Sequence, residues 1–473
     1  MKNKIIYLAS IILLAASCKV GPNYVKPTIQ TPGSFRFAEG TTDSALNLKW
    51  WTLFNDDYLT ALVDSALVHN QDVMIAASRI EEARAVVGYN KADMLPVIGY
   101  DGGASRYTSN FPGQGVQGPY NDFSGVATLA WELDFWGKYR RATEAARAEL
   151  LATQYNQRVV QLSLISEVTR TYFLLLDYNA RLEISEKTLK SRKESLRIIN
   201  ERFEKGIVPE LDLNQAQIQE AIAEASIPLY TRLVAQTENA LNILLGRMPM
   251  EMEINGTIKE KLFTPEIPAG IPSVIMERRP DVLQAEQVLA AQNARIGVAQ
   301  TMRFPSISLT GMFGTASSEL SALATGDAMV WSVGGSIFGP LINFGKNKRR
   351  VEIERERMRQ DSLYYVKTVL NAFREVEDAL IQVQTLKDES LARQKQMKAA
   401  ENAAMLSQAR YDGGVTSYLE VLDSERSQFN AQLSASETYQ LYLSAYINLY
   451  KVLGGGWITE EEMKAAQQQE QQQ

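Results

Sequence analysis

The chain has 473 residues, of which 22% are charged and 45% hydrophobic, at a formal net charge of −6. Its length permits two or three domains, and mild acidity argues against nucleic acid as a partner. One cysteine excludes an internal disulfide; one histidine, His69, excludes a His-rich metal centre and leaves little from which to build a catalytic triad.

The N-terminus reads as an export signal. Lys2 and Lys4 precede an apolar run, Ile5 to Ala16, that is too short to span a bilayer. Ala15-Ala16-Ser17-Cys18 follows directly. Small residues before a lone cysteine resemble a bacterial lipoprotein processing box, although Ala15 stands where such boxes usually carry Leu. A plain secretory signal with an incidental cysteine is the alternative; the position of the chain's single cysteine favours lipidation of Cys18. Residues 1–17 are then a removed signal peptide. Residues 18–50, with Pro22, Pro27 and Pro32, form an extended lipid-bearing segment. Such lipid tethers a chain to a membrane without inserting it. No later stretch has the long uncharged apolar run of a membrane helix.

Short helices are expected around Tyr58–His69 and from Gln71 to Asp93, where Ile75, Ile80, Ala83 and Val86 keep a helical period. Leu95-Pro96 ends the second. The period then changes to two. Phe123, Ala127, Leu129, Trp131, Leu133 and Phe135 alternate with Asp122, Ser124, Thr128, Glu132 and Asp134, which predicts a strand with one apolar face. Val97–Ser109 is its expected partner, with the turn at Gly113–Tyr120. Ser306–Thr315 and Val330–Phe344 repeat the pattern through Ser317–Asp327. Two isolated hairpins would leave open edges. The strands suit either a soluble β-cap or a barrel closed with other chains; their length and aromatics favour a membrane barrel.

Between Gly137 and Gly206 there is no glycine, and Pro is absent between Pro119 and Pro209. Nothing in this stretch stops a helix, which at 1.5 Å per residue would be roughly 100 Å long. Val168, Leu175, Leu182, Leu189, Leu196 and Phe203 recur every seven residues and predict a seam against neighbouring helices. A return helix is expected over Leu211–Leu245, with Pro228 as a kink or a join. The whole arrangement recurs with a shift of 208. Gly345–Gly413 is a second glycine-free rod, with Val376, Val383, Ser390, Met397, Ala404 and Tyr411 as its seam and Ser390 the weakest member. Arg202-Phe203, Gly206 and Leu211-Asp212 become Arg410-Tyr411, Gly414 and Leu419-Glu420. A constant shift of this kind marks a duplicated unit. The expected divisions are a first repeat at 51–249 (hairpin about 97–136, long helix about 137–204), an equatorial connector at 250–272, a second repeat at 273–457 (hairpin about 306–344, long helix about 345–412) and a disordered tail at 458–473.

Gly113, Gly115 and Gly118 spell G-x-G-x-x-G. The motif follows no strand that opens a helix, and Pro119 sits at the expected helix start, so it is not a dinucleotide site. Glu420 and Asp423 share a helix face just past Gly414. Alone they read as a solvated helix start; brought together from several chains they would charge an opening.

These residues resemble the bacterial outer-membrane efflux protein family, the TolC-like outer-membrane factors, in the lipoprotein branch that serves RND-type exporters. The resemblance rests on Cys18 followed by Val20-Gly21-Pro22-Asn23-Tyr24, on Trp50-Trp51, on Glu277-Arg278-Arg279-Pro280-Asp281-Val282, on Phe304-Pro305 and on Arg410-Tyr411 with Gly414 and Glu420-Val421-Leu422-Asp423. It implies a mainly α chain with a small β part. As a homotrimer this would form a twelve-stranded transmembrane β-barrel continuous with a long periplasmic α-helical barrel. It implies a passive efflux duct in the outer membrane, lipid-anchored through Cys18 (palmitate being one such acyl group), with a periplasmic extension. The partners implied are a periplasmic adaptor (membrane fusion) protein and, through it, an inner-membrane RND-type transporter. No cofactor, metal or enzymatic activity is expected. Glu420, Asp423 and Tyr411 are expected at the periplasmic aperture. Arg202, Phe203, Gly206, Val208, Arg410, Gly414 and Thr416 are expected at adaptor-facing tips. Thr416 stands where some relatives carry a locking arginine, and Glu420 where the usual acid is Asp. The competing reading is a lipid-anchored periplasmic coiled-coil structural protein without a pore.

Overall fold

The structure, a computed structural model, describes residues 19–37, 49–111, 115–252 and 278–455. The signal segment, Cys18, most of the connector and the C-terminal tail lie outside these residues. The chain divides into two compact units. One comprises 1–28, 79–154 and 284–366; the other comprises 29–78, 155–283 and 367–473.

Seven α-helices are described: α1 Asp57–His69, α2 Gln71–Ala92, α3 Lys138–Glu204, α4 Glu210–Leu244, α5 Pro280–Thr301, α6 Lys346–Asp412 and α7 Tyr418–Val452. Four strands accompany them: β1 Val97–Phe111, β2 Gly115–Leu133, β3 Ser306–Ser317 and β4 Met329–Phe338. Helix lengths match in pairs: 22 residues for α2 and α5, 67 for α3 and α6, and 35 for α4 and α7. Of the described helices, α3 alone contains a stretch apolar enough to cross a membrane, and most of that stretch is buried within the chain.

Several expected boundaries move. Gly115–Tyr120 belongs to β2 and not to a turn; residues 112–114 lie outside the described residues. β4 stops at Phe338 and not Phe344, because Gly339-Pro340 follows and Pro has no N–H to continue a ladder. Pro228 is not a join. It lies inside the continuous helix α4, where one lost backbone bond is carried by the turns on either side.

The unit that holds the strands joins both hairpins into one antiparallel sheet of order β1-β2-β3-β4. The hairpins are therefore not isolated: Leu129 faces Gly311 and Trp131 faces Leu309 across β2 and β3. Paired residues share a face. One face carries Ile98 and Tyr100, Leu129 and Trp131, Leu309 and Phe313, and Trp331, Val333 and Ile337. The other carries Asp101, Ser105, Asp122, Ser124, Thr128, Ser308, Thr310, Ser332 and Ser336. The apolar face is open on this chain: Tyr100 is 94% exposed and Val333 81%. Both edges, β1 and β4, lack a neighbour among the described strands.

In the other unit the helices build a core of their own. Trp50 stacks on Tyr450 at 5.7 Å. Asp56 caps α1 by accepting from the Leu59 N–H, and the Tyr172 hydroxyl donates to the other Asp56 oxygen at 2.8 Å. Burial first, and then this carboxylate, raise the Tyr172 pKa. Arg279 pairs with Asp281 and Glu375 and donates to the Val452 carbonyl, one of the last unpaired carbonyls of α7.

The expected seam of α3 holds at Val168 and Leu175, which are fully buried, but Leu182, Leu189, Leu196 and Phe203 are only half-buried. The buried row there is Ser185, Arg192 and Ile199. The reason is that α3 packs against two helices at once. Arg192 reaches Gln219 of α4 and Phe429 of α7, so the row between those contacts is the one that closes. On α6 the seam follows expectation more closely: Val376, Val383 and Ala404 are buried, and so is Ser390.

Candidate functional site

The turns after α3 and α6 are built alike. Gly206 has φ +72° and Gly414 φ +70°, conformations that a side chain would strain. In the first turn the Gly206 N–H donates to the Phe203 carbonyl and the Ile207 N–H to that of Arg202. In the second, Gly414 donates to Tyr411 and Val415 to Arg410. This is the paired closure by which a helix satisfies its last carbonyls. Beneath the turns lies one apolar cluster of Ile199, Ala216, Tyr418, Val421 and Leu422, with Leu196, Val208, Leu213 and Tyr411 packed against it. The cluster draws on both repeats, so the two turns are held as one tip.

Polar groups sit on this base. The Arg202 guanidinium lies 4.9 Å above the Tyr411 ring, and Tyr411 lies 5.4 Å from Tyr418. The Tyr411 hydroxyl is buried and donates to no described residue. Burial also raises the Tyr418 pKa. Glu420 accepts from the Thr416 hydroxyl and pairs with Arg410 at 3.3 Å. Asp423 pairs with Arg426 at 2.6 Å. Both carboxylates are exposed, so these pairs hold the tip weakly. Thr416 and Arg410 together restrain Glu420. Phe203 is half-buried, and Asp212 lies in the first turn of α4.

Sequence reasoning missed Arg192. It is 2% exposed; it donates to the Gln219 carbonyl at 2.7 Å and lies 5.0 Å over the Phe429 ring, while two of its nitrogens have no partner among the described residues. It lines a cavity of about 430 Å³ with Lys187, Glu425, Gln428 and Gln432. Burial lowers the Arg192 pKa and raises that of Glu425, with each partly opposed by the other's charge. Its place among Leu189, Leu196 and Ile199, three, four and seven residues away on one helix face, was the available signal.

The N-terminal segment is clasped within the strand-bearing unit. Arg141, fully buried, donates to the Val20 and Gly21 carbonyls at 3.0 and 2.9 Å and to Asn23 at 3.3 Å. Asn293 donates to the Pro22 carbonyl, and Lys26 pairs with Glu286. At Gly21 (φ +108°) a Cβ would lie 2.5 Å from the Gly297 Cα, so the backbone approach admits no side chain. His69 is exposed, with Nδ1 3.0 Å from the Ser65 carbonyl, and no cluster that could hold a metal occurs among the described residues.

A small sheet with one bare apolar face, long paired helices and a two-turn tip define a chain built on a membrane-channel plan. Residues 62–247 and 271–455 each match the Outer membrane efflux protein family, one match to each repeat, and the chain belongs to that family. It is 33% identical over 453 residues to the Cation efflux system protein CusC of Escherichia coli (strain K12), covering 94% of this chain and 98% of that one. It is 31% identical over 475 residues to the Probable efflux pump outer membrane protein TtgC of Pseudomonas putida, covering 97% and 96%. Among solved structures, the CmeC outer membrane channel of Campylobacter jejuni superposes with a TM-score of 0.88 at 27% identity, covering 95% of this chain and 98% of that one. Family members are channels, and the chain is not an enzyme.

Proposed function

We propose that the chain is the outer-membrane exit duct of a tripartite efflux system, a passive conduit opened by a periplasmic adaptor and an inner-membrane RND-type transporter. One observation carries the reading: the sheet has a bare apolar face and two edges without a neighbour among the described strands, and an open edge does not persist in lipid. Three copies of a four-stranded sheet give twelve strands, an even count as in bacterial outer-membrane barrels. Cys18 carries the lipid, and the Arg141 clasp holds the segment that follows it. At the tip, Glu420 and Asp423 from each copy form an acidic ring at the aperture, with Tyr411 beside it. Arg202, Phe203, Gly206, Val208, Arg410, Gly414 and Thr416 meet the adaptor. The named relatives are a cation efflux protein and an efflux-pump outer membrane protein; the tip's carboxylates favour passage of cations in the absence of the pump.

The test is conductance of the purified protein in a planar bilayer. Cation-selective channels are expected, and Glu420→Ala with Asp423→Ala should weaken the selectivity and the block by multivalent cations. Conductance with unchanged selectivity would remove the aperture assignment. No conductance at all would favour the tethered coiled-coil scaffold.

A further inference from the structure

Two arginines of the helical unit are buried alike and tied alike, yet only Arg279 has its whole fork engaged. Arg279 is 7% exposed and donates from Nη1 to the Val452 carbonyl at 3.1 Å. Its Nε and Nη2 take the two oxygens of Asp281, at 3.0 and 2.7 Å. Arg192 donates from Nη1 to the Gln219 carbonyl at 2.7 Å. Its Nε and Nη2 are buried and have no partner among the described residues. These two nitrogens form the guanidinium edge that matches a carboxylate, oxygen for nitrogen. Buried donors without an acceptor are costly, so this edge calls for an acceptor held inside the protein.

The nearby carboxylates do not supply it. Glu425 of α7 shares the cavity between α3 and α7 with Arg192 but does not take these nitrogens. Glu183 is held by Lys187, one turn along the same helix. The cavity, about 430 Å³, is of the size that takes small molecules, roughly 300–1,000 Å³. Its wall is mixed: Ile184 and Phe429 are apolar, while Arg192 and Lys187 are cationic.

We propose that this cavity binds a small organic carboxylate. The two oxygens pair with Nε and Nη2 of Arg192, and the apolar body lies against Ile184 and Phe429. Inorganic phosphate fits less well, because it has no apolar part to set against that wall. Glu425 is compatible with an anion. Burial raises its pKa, and in its protonated form it donates to a carboxylate instead of repelling it.

These residues lie in one chain and one unit, so the site does not rest on the channel reading. Arg192 lies seven residues before Ile199 and Glu425 three after Leu422, both members of the tip cluster. A bound carboxylate therefore joins a helix of each repeat just behind the tip.

Isothermal titration of the detergent-purified, full-length protein tests this, with benzoate and hexanoate as probes. One saturable site per chain is expected for at least one of the two. Benzamide has the shape of benzoate without its charge and should bind at least about tenfold more weakly than benzoate. Arg192→Lys keeps the charge and loses the fork, and should weaken carboxylate binding about tenfold or more. Ala180→Phe fills the cavity, leaves Arg192 in place and should abolish binding. No saturable binding of either probe at millimolar concentration would overturn the proposal. So would unchanged affinity in Arg192→Lys or Ala180→Phe, which would put the carboxylate elsewhere on the protein. Tighter binding of inorganic phosphate than of both probes would overturn the ligand class. Should Arg192→Lys fail to assemble, Ala180→Phe and the benzamide comparison decide the matter.

Discussion

The sheet and the tip settle their surfaces by opposite means. At the tip, residues from both repeats bury Ile199, Val421 and Leu422 against one another, and each turn closes its own carbonyls. That region is complete in one chain, with only exposed ion pairs on its rim. The sheet pairs its inner strands but leaves Tyr100, Trp331, Val333 and Ile337 bare and both edges open. One chain thus leaves the sheet incomplete, while the tip core is complete within it.

The largest effect should come from attacking the sheet's dependence on its surroundings. Leu309→Arg puts a charge on the apolar face of an inner strand. It should cost about 2–4 kcal/mol per copy if that face meets lipid. Heat-resistant oligomer on gels should disappear while helical content by circular dichroism persists. Retained oligomer would mean that the face meets water. At the tip, Leu422→Ala should cost about 2–3 kcal/mol through the cavity it leaves. Urea unfolding should register the loss with the oligomer still assembled, because the tip core is internal to the chain.

A smaller effect belongs to the rim. Arg410→Ala frees Glu420 from one of its two partners. The pair is exposed, so stability should change by less than about 1 kcal/mol. Block of the conductance by multivalent cations should nevertheless tighten, since the carboxylate gains net charge. The smallest effect concerns Glu425, whose pKa burial raises. A carboxyl raised in the folded state favours its protonated form there. Its contribution is present below the ordinary glutamate pKa and is lost as pH rises through the raised one. Glu425→Gln should match the parent near pH 4 and exceed it slightly in melting temperature near neutrality. Equal melting temperatures across that range would show that the Arg192 cavity leaves Glu425 at its ordinary pKa.

Much of this was written in local chemistry. A stretch without Gly or Pro from 138 to 205 holds nothing to stop a helix, and the positive-φ glycines that end both rods lay at equivalent places in the repeats. Alternation gave each strand its faces. It did not give neighbours, and so the pairing of β2 with β3, which merges the hairpins, was not legible. Gly115–Tyr120 carries two glycines and Pro119 and reads as a turn, yet its pairing with β1 makes it strand. The Arg141 clasp joins residues 20–23, 141, 293 and 297, and no sequence spacing reports such a meeting. Thr416 was singled out only through the family resemblance, whereas the pairing of Glu420 with Arg410 depends on the turn that brings them together.

The central claim is that the sheet is completed only by identical copies, and the mass of the detergent-purified, full-length mature protein tests it most directly. Native mass spectrometry should find three chains and no stable population of one. A homogeneous single chain that keeps its β-sheet signal and resists proteolysis along β1 and β4 would contradict the account.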